Sequence, residues 1–499
     1  MFSFTLTLDS KRRTPMYDQL YAAVAAAIRD GKLHHGEKLP SKRELCVRLG
    51  VSRATVETAY ELLLAEGYVE SRPRSGYYAA EYQSTPFPVG TSNACPACEA
   101  SNRPTGDSFL VPDPKPKERT SDACPYVPDQ TESADAALLS TSAVDVSFFP
   151  YASWAKLYKE VIYNSPALLQ RGEPQGEIAL REALARLLSE YRGVCCAPEQ
   201  LVVGSGMETL MGQLITLFGP EAVYAMEDPG YPAMERSLSA QGRKIRWVPM
   251  DGSGMDAEAL EQSGATVAYL TPSHQFPLGI TMPASRRSRL LHWAAASEHW
   301  IIEDDYDSEF RYGGRPISSM QGMDRHGRVI YTGTFSRSLA PAIRLAYMVL
   351  PAPLLPRWQA LYGRQQPTVS RYEQTVMARF LAEGYYGRYL RRVGKRYADR
   401  RAALLKALGE IPGLTVSGDD GGIHFLVTLP RHGEVELLCR AAAAGLPLRG
   451  LSAFCHETPA PPSTLILGYG GLPTERVDEV AARLKAAWDV DNCQGTCDK

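Results

Sequence analysis

The sequence predicts an α/β protein in which a large domain follows a small helical one. From about Val144 onward, short apolar segments alternate with amphipathic helices. Unbroken apolar strands between helices indicate a sheet that helices cover on both faces. The first 80 residues differ, because short helices with capping residues dominate there. A chain of 499 residues also exceeds what one ordinary hydrophobic core organises, so at least two domains are expected.

Composition indicates a soluble globular protein, since 44% of the residues are hydrophobic, 22% are charged and the formal net charge is −2. The N-terminal sequence has no signal-peptide pattern and the chain has no apolar run of 18 residues. A cytoplasmic location without membrane attachment is therefore expected, with the ten cysteines as reduced thiols. Cys95 and Cys98 form a close pair, but no second pair of zinc-finger spacing follows, so no metal site is predicted.

Three N-terminal helices are predicted from apolar spacing, capping residues and glycine stops: Pro15–Gly31, Ser41–Gly50 and Arg53–Glu66. Ser52 can cap the third helix. Two short helices joined by a tight turn form a helix-turn-helix. Residues 68–79 then indicate a hairpin with a basic tip at Arg72–Gly76, which would form a wing.

The polar residues of this region suit a DNA-binding surface. Residues 1–80 carry 12 Lys and Arg against 9 Asp and Glu. Arg53 and Thr55 lie in the first turn of the third helix, the end that usually meets base edges in the major groove. Arg43 in the second helix and Arg74 in the wing are placed for phosphates or the minor groove. The alternative is a small helical interaction domain whose arginines are merely solvated.

The stretch LPSKRELCVRLGVSRATVETAYELLLAEGYVESRPRSGYY resembles the winged helix of the GntR family. The resemblance covers about Pro15–Ala80 and implies that the domain binds a double-stranded DNA operator. The expected DNA-binding residues are Arg43, Ser52, Arg53, Thr55, Arg74 and Gly76.

Four regions are expected: a winged helix DNA-binding domain at 1–80, a linker at 81–143, the large domain at 144–490 and a tail at 491–499. The linker assignment rests on nine prolines, 9 acidic against 4 basic residues and the lack of a sustained period in 81–143. This composition is typical of a flexible, partly extended segment. Such a linker permits the DNA-binding domain to sit away from its own large domain, against a partner subunit.

Six strands are predicted in the large domain: Leu201–Val203, Val223–Ala225, Val267–Leu270, Trp300–Glu303, Val329–Tyr331 and Leu345–Leu350. Predicted helices include Glu177–Tyr191, Met207–Phe218, Ala233–Gln241 and Arg286–Ala296. Polar motifs follow four of the strands: Gly204–Met207, Glu227–Pro232, Thr271–Pro277 and Glu303–Asp307. Ligands of α/β sheets bind at the carboxyl ends of strands, so these motifs mark the expected site.

Two of these motifs also have simpler explanations. Gly204-Ser205-Gly206 follows a strand and opens a helix, so it can cradle an anion, although such a motif is more often only a turn. The acidic strand end Glu303–Asp307 could hold Mg²⁺.

The segment Gly333–Tyr347, GTFSRSLAPAIRLAY, resembles the cofactor loop of fold-type I aminotransferases, in the version carried by MocR/GabR-type regulators. In that family a lysine forms a Schiff base with pyridoxal phosphate (PLP), while hydroxyl groups and an arginine hold the phosphate. EDPGYP, TPSHQFP and EDDYDSEFRY are close to the same group's motifs. The resemblance, from about Asp145 to Trp488, implies an α/β fold of fold-type I aminotransferase type and a homodimer.

Carried over residue by residue, the resemblance implies a set of cofactor contacts. Asp304 would pair with the ring nitrogen, keeping it protonated, and Tyr231 would stack on the ring. Gln275 and Tyr306 would approach the ring hydroxyl. The phosphate would be held by Ser205, Gly206, Met207, Thr334, Ser336 and Arg344.

The family pattern fails at Arg337, which occupies the lysine position. A guanidinium stays protonated and is a poor nucleophile toward an aldehyde. PLP or a related form would therefore bind non-covalently, without an internal aldimine, and Arg337 could add a phosphate or carboxylate contact. Two other positions also differ from the family pattern. Arg171 stands where family members often have a tyrosine, and Thr464–Gly468 lacks the arginine that binds a substrate carboxylate in aminotransferases.

Three functions are compatible with these residues. The favoured one is a transcriptional regulator, not an enzyme, whose aminotransferase-like domain senses a PLP-related or amino-acid-type small molecule. The second is a regulator whose pocket serves only dimerisation. The third is a working aminotransferase fused to a DNA-binding domain. Against this function, the sequence lacks the lysine base that aminotransferase catalysis normally needs.

Overall fold

The structure is a computed structural model that describes residues 8, 15–72, 75–81, 138–312 and 318–488. Most of the predicted linker, the Cys95–Cys98 pair and the tail lie outside these residues. Among the described residues, no helix combines the length and apolar character needed to cross a bilayer.

The N-terminal domain has three helices and a two-stranded hairpin: α1 (Met16–Arg29), α2 (Lys42–Leu49), α3 (Arg53–Ala65), β1 (Val69–Arg72) and β2 (Gly76–Ala79). The predicted caps are present. Ser41 Oγ accepts the Glu44 amide and Ser52 Oγ accepts the Thr55 amide, each at 3.2 Å. Gly50 ends α2 in the left-handed conformation with φ 65°. The predicted apolar face of α1 is buried.

Eleven further helices belong to the large domain within the described residues: α4 (Tyr151–Asn164), α5 (Ile178–Arg192), α6 (Met207–Phe218), α7 (Pro232–Ala240), α8 (Ala257–Gln262), α9 (Ala284–Ala296), α10 (Leu355–Tyr362), α11 (Arg371–Ala382), α12 (Tyr385–Leu408), α13 (Glu434–Ala443) and α14 (Val477–Trp488). The strands are β3 (Leu201–Gly204), β4 (Val223–Asp228), β5 (Lys244–Asp251), β6 (Gly254–Met255), β7 (Val267–Leu270), β8 (Trp300–Asp305), β9 (Val329–Thr334), β10 (Ala346–Val349), β11 (Thr415–Ser417), β12 (His424–Thr428), β13 (Arg449–Gly450) and β14 (Thr464–Gly468).

An eight-stranded mixed sheet in the order β3-β10-β9-β8-β7-β4-β5-β6 forms the centre of the large domain. Strands β5, β4, β7, β8 and β9 run parallel, and β10 is antiparallel to both β9 and β3. Because β3 and β9 both oppose β10, they run in the same direction. Their carboxyl ends therefore meet at the edge where β4, β7 and β8 also end.

All six predicted strands are present in this sheet, and the α/β prediction is confirmed. The longest strand, β5, was not predicted. Its residues alternate between more and less exposed positions, because the strand lies beside the sheet edge, so it lacks the unbroken apolar run of the others.

A second sheet, in the order β11-β12-β14-β13, packs with α12, α13 and α14 around its own apolar core. Leu138 and Leu139 are buried in this core, and the Leu139 carbonyl accepts the Gly468 amide at 3.0 Å. Residues 138–143 were expected to belong to the flexible linker. The structure instead packs the first two of them into the core of the large domain. Their two leucines bury apolar surface that the count of prolines and charges over the whole segment concealed.

The N-terminal domain packs against the large domain of the same chain. Apolar residues of both domains share one buried cluster. The Ala284 amide donates to the Glu66 carbonyl at 2.7 Å, and Asp30 pairs with Arg325 at 3.1 Å. Gly67 fits so tightly that an added Cβ would lie 2.5 Å from Cβ of Pro283.

Candidate functional site

The predicted DNA-reading residues lie at the exposed start of α3. The Arg53 side chain is 81% exposed and pairs with Glu57 one turn later, at 2.9 Å. Ser52 and Thr55 share a hydrogen bond between their hydroxyls at 2.9 Å. Arg43 is exposed on α2. These side chains are thus available to a nucleic acid from adjacent turns of the helix-turn-helix.

The wing and the start of α2 place further cations near this surface. Gly76 begins β2 with φ 114°, and Arg74 lies outside the described residues. Arg72 stacks over the Tyr78 ring at 4.3 Å, and Lys42 lies 5.6 Å from the Tyr77 ring. Lys42 was missed from the sequence, although its position in the first turn of α2, next to Arg43, could have identified it.

Two loops at the carboxyl edge of the large sheet contain the residues that were predicted to form a phosphate cradle. Gly204–Gly206 leads from β3 into α6, where Met207 is the first helical residue. Thr334 ends β9, and its hydroxyl donates to Ser336 Oγ at 3.0 Å and accepts the Ser336 amide at 3.1 Å. The sheet brings these loops together because β3 and β9 flank β10. Gly206 has φ 108°, a conformation that favours glycine, and an added Cβ would lie 2.1 Å from Arg344 Nη2.

Arg344 bridges the two loops but already has an acidic partner. It adopts a left-handed conformation, φ 48°, and donates to the Ser205 carbonyl at 3.3 Å. Its guanidinium also forms an ion pair of 2.8 Å with Glu208, in the first turn of α6. Glu208, which sequence reasoning missed, thus places a negative charge at the helix end expected to hold phosphate.

Asp304 supplies a buried carboxyl at the end of β8. Its side chain accepts a hydrogen bond from Tyr269 and lies 3.4 Å from the Thr332 hydroxyl. Burial raises the pKa of Asp304 to about 7, against the effect of the Tyr269 hydrogen bond. A carboxyl of this kind can carry or release a proton near neutral pH.

Aromatic rings line the side of the pocket beyond Asp304. Tyr231 packs edge-to-face against Phe276, with ring centroids 5.6 Å apart, and Phe276 in turn contacts Tyr306. The Tyr306 hydroxyl lies 3.2 Å from Nδ1 of His274. The structure therefore places Tyr231 and Tyr306 on either side of Phe276, and Tyr306 is hydrogen-bonded to a histidine that was not predicted as a site residue.

His274 forms a buried pair with Asp307, whose carboxylate lies 3.0 Å from Nδ1. Burial alone would lower the pKa of His274, but Asp307 outweighs burial and raises it. His424 joins them to form a group whose possible metal-ligand atoms lie within 4.8 Å of one another. Nε2 of His424 lies 3.2 Å from the Pro277 carbonyl, whereas Nε2 of His274 is buried without a hydrogen-bond partner among the described residues.

Gln275 is less available than expected. Its amide nitrogen lies within hydrogen-bonding distance of the carbonyls of Pro229 and Phe276, at 2.9 and 2.7 Å. Its side-chain oxygen accepts the Leu278 amide at 2.9 Å. The side chain thus stabilises its own buried loop, and the structure does not present its nitrogen as a free donor to the pocket.

Arg337 extends from the loop after β9 and donates a hydrogen bond to the Thr141 carbonyl. Burial and then the neighbouring His274 lower the pKa of His424, and the positive charge of Arg337 adds a smaller effect in the same direction. The same charge opposes the rise that burial causes in the pKa of Tyr231 and Tyr306. Arg337 is therefore close enough to Tyr231, Tyr306 and His424 for its charge to act on all three side chains.

Comparison with known proteins assigns both domains. Residues 138–484 match the family "Aminotransferase class I and II", and residues 16–78 match "Bacterial regulatory proteins, gntR family". The probable rhizopine catabolism regulatory protein MocR of Rhizobium meliloti is 33% identical over 488 residues, which cover 97% of this chain and 96% of that protein. This chain is a MocR-type regulator. An HTH-type transcriptional regulator of Bacillus subtilis described as uncharacterised, YdeL, is 36% identical over 95% of this chain and 97% of its own.

Solved structures agree on the fold of the regulator's large domain. The kynurenine aminotransferase of Pyrococcus horikoshii superposes with a TM-score of 0.64 at 26% identity, covering 71% of this chain and 91% of the enzyme. The MocR-type regulator thus joins a GntR winged helix to a fold-type I aminotransferase domain, as predicted. It is a DNA-binding transcriptional regulator with an aminotransferase-like domain.

Proposed function

We propose that the aminotransferase-like domain of this regulator binds PLP, pyridoxamine 5′-phosphate or an amino-acid adduct of the cofactor without a covalent link. The observation that carries the proposal is Arg337. By the family resemblance it stands at the lysine position, and the buried carboxyl of Asp304 and the two loops at the carboxyl edge of the sheet stand at other positions expected to hold the cofactor. In this proposal the ligand controls how a homodimer engages a two-half-site operator.

The residues at the carboxyl edge of the sheet fit a phosphorylated pyridine. Gly206 lets the Arg344 guanidinium approach the start of α6 closely, and the first-turn amides of a helix favour an anion. Thr334, Ser336 and Arg344 would contribute further phosphate contacts, and Tyr231 a ring face. When bound, the cofactor would supply an electron-poor ring, and the Asp304 carboxylate would pair with its protonated nitrogen.

We propose further that the domain is a sensor and not a catalyst. Amino-group transfer needs a base that removes a proton next to the substrate nitrogen. A guanidinium remains protonated at any physiological pH and cannot serve as that base. Arg337 can hold an anion in place but cannot supply this step.

A titration of the purified protein with PLP and with pyridoxamine 5′-phosphate tests the proposal. We expect a saturable absorbance change and, after borohydride treatment, no PLP attached to residue 337. The Arg337→Lys variant should yield such an adduct, located by mass spectrometry. Absence of saturable binding in both proteins would favour a pocket used only for dimerisation. Measurable amino-group transfer by the unmodified protein would show an enzyme instead.

A further inference from the structure

The guanidinium of Arg337 lacks a carboxylate partner among the residues that the structure describes. Its hydrogen bond goes to the neutral carbonyl of Thr141, and its side chain is half-buried. Removing a charge from water is unfavourable unless an opposite charge or strong hydrogen bonds compensate. A partly desolvated cation without a counter-ion is therefore suited to receive an anionic ligand.

Two other arginines at this edge of the sheet are already neutralised. Arg344 pairs with Glu208 at 2.8 Å, and the buried Arg192 pairs with Asp305 at 2.7 Å. Aminotransferases place the arginine for a substrate carboxylate on the strand that corresponds to β14. In this protein, β14 contributes Ile466 to an apolar cluster with Phe276 and Phe454. The side chains of that cluster on β14 are apolar and cannot pair with a carboxylate. Arg337 offers the positive charge that a carboxylate needs.

We propose that Arg337 is the carboxylate receptor of the pocket and that its ligand is an amino acid joined to the phosphorylated cofactor. This inference rests on the function proposed above. Arg337 exchanges its bond to Thr141 for a charge-assisted pair with the α-carboxylate, which a planar guanidinium can hold through two parallel hydrogen bonds. The residue at the lysine position thereby selects the amino-acid adduct over the cofactor alone.

The exchange also acts on the segment that follows the linker. Thr141 lies two residues after Leu139, whose carbonyl accepts the Gly468 amide at 3.0 Å. Loss of the Arg337 bond leaves residues 138–143 attached chiefly through their leucines and this edge of β14. Ligand binding at Arg337 thus changes the anchoring of the chain on the path to the DNA-binding domain.

Two stable ligands that differ by one carboxylate test the assignment. N-(5′-phosphopyridoxyl)-L-leucine carries the α-carboxylate, and N-(5′-phosphopyridoxyl)-3-methylbutylamine is the same compound without it. We expect calorimetry to give at least about tenfold tighter binding of the leucine adduct, since charge-assisted pairs are the stronger hydrogen bonds. Arg337→Gln should bring the two affinities together. Arg344→Gln should weaken both ligands by a similar factor, because both carry the phosphate.

The outcomes separate this inference from the proposed function. Equal affinity of the wild-type protein for the two adducts, or discrimination that survives in Arg337→Gln, overturns the carboxylate role alone. Failure of the wild-type protein to bind either adduct overturns the proposed function as well. An equal loss of affinity for both adducts in Arg337→Gln would assign Arg337 to the phosphate and refute the inference. Hydrogen exchange in residues 138–143 should rise with the leucine adduct in the wild type and not in Arg337→Gln.

Discussion

Arg344 and Glu208, 136 residues apart in the chain, form an ion pair of 2.8 Å at the mouth of the phosphate cradle. About half of the arginine side chain and 61% of the glutamate side chain remain exposed. Exposed pairs of this kind contribute roughly 0–1 kcal/mol, so a phosphate can displace the glutamate. Glu208 nevertheless binds the guanidinium that a phosphate would need, and its negative charge repels an anion placed beside Arg344.

Replacing Glu208 with glutamine should therefore strengthen phosphate binding. We expect the Glu208→Gln variant to bind pyridoxamine 5′-phosphate several-fold more tightly than the wild type, and unphosphorylated pyridoxamine equally well. Fluorescence titration measures both constants. Glu221→Gln, an exposed change beyond the other end of α6, serves as the control for net charge. Equal gains in the two variants would contradict a local effect of Glu208.

Three carboxyls should make the large domain less stable in alkaline solution: those of Asp304 and Glu227, which are buried, and that of Glu309, which is half-buried. Burial raises the pKa of Asp304 and of Glu227 to about 7, and of Glu309 to about 8. The native state then holds protons that the unfolded chain releases near pH 4, so stability falls as pH rises through these values. The melting temperature should be roughly 2–5 °C lower at pH 8.5 than at pH 6.

The Asp304→Asn variant should show a smaller difference in melting temperature between the two pH values, measured by differential scanning fluorimetry. Asp399→Asn, an exposed substitution on α12, should leave the difference unchanged. A wild-type protein that melts at the same or a higher temperature at pH 8.5 would refute the assignment of protonated carboxyls.

A methyl group at position 67 should loosen the contact between the two domains. Gly67 has φ 70°, and its Cβ would lie 2.5 Å from Cβ of Pro283. Gly31 has φ 69° but nothing within 4 Å of its Cβ position, so Gly31→Ala introduces the same backbone strain without the collision. We expect faster hydrogen exchange of the Ala284 amide, which donates to Glu66, in Gly67→Ala only. Similar exchange in both variants would argue against this docking contact.

Arg53 should contribute to operator affinity without stabilising the fold. Its exposed guanidinium is held by Glu57 at the start of α3. Loss of a base contact costs about 1–3 kcal/mol, so Arg53→Ala should weaken binding about tenfold in a gel-shift assay at fixed salt. Lys32→Ala, which removes a charge outside α2, α3 and the wing, should have less effect. Unchanged affinity in Arg53→Ala would exclude Arg53 from the contact surface.

Much of the site could be predicted from the sequence because its residues follow strands directly. Ser205, Asp304 and Thr334 each stand where an apolar strand ends, and parallel strands end at one edge. The partners of these residues gave no such signal. Tyr269, which binds Asp304, lies within β7 and resembles an ordinary core tyrosine in the sequence. Thr368, whose hydroxyl accepts the Ser205 amide at 3.0 Å, lies in a connection between α10 and α11.

The sequence by itself determined the two folds and the order of the domains. Helix caps, glycine stops and unbroken apolar strands each depend on a few neighbouring residues, so they can be recognised in the sequence. The tertiary structure decided which charges cancel. Glu208 neutralises Arg344, Asp307 holds His274, and Arg337 binds only a carbonyl among the described residues. Ion pairing depends on distances of a few ångströms between residues far apart in the chain, and only the folded arrangement of the strands fixes those distances.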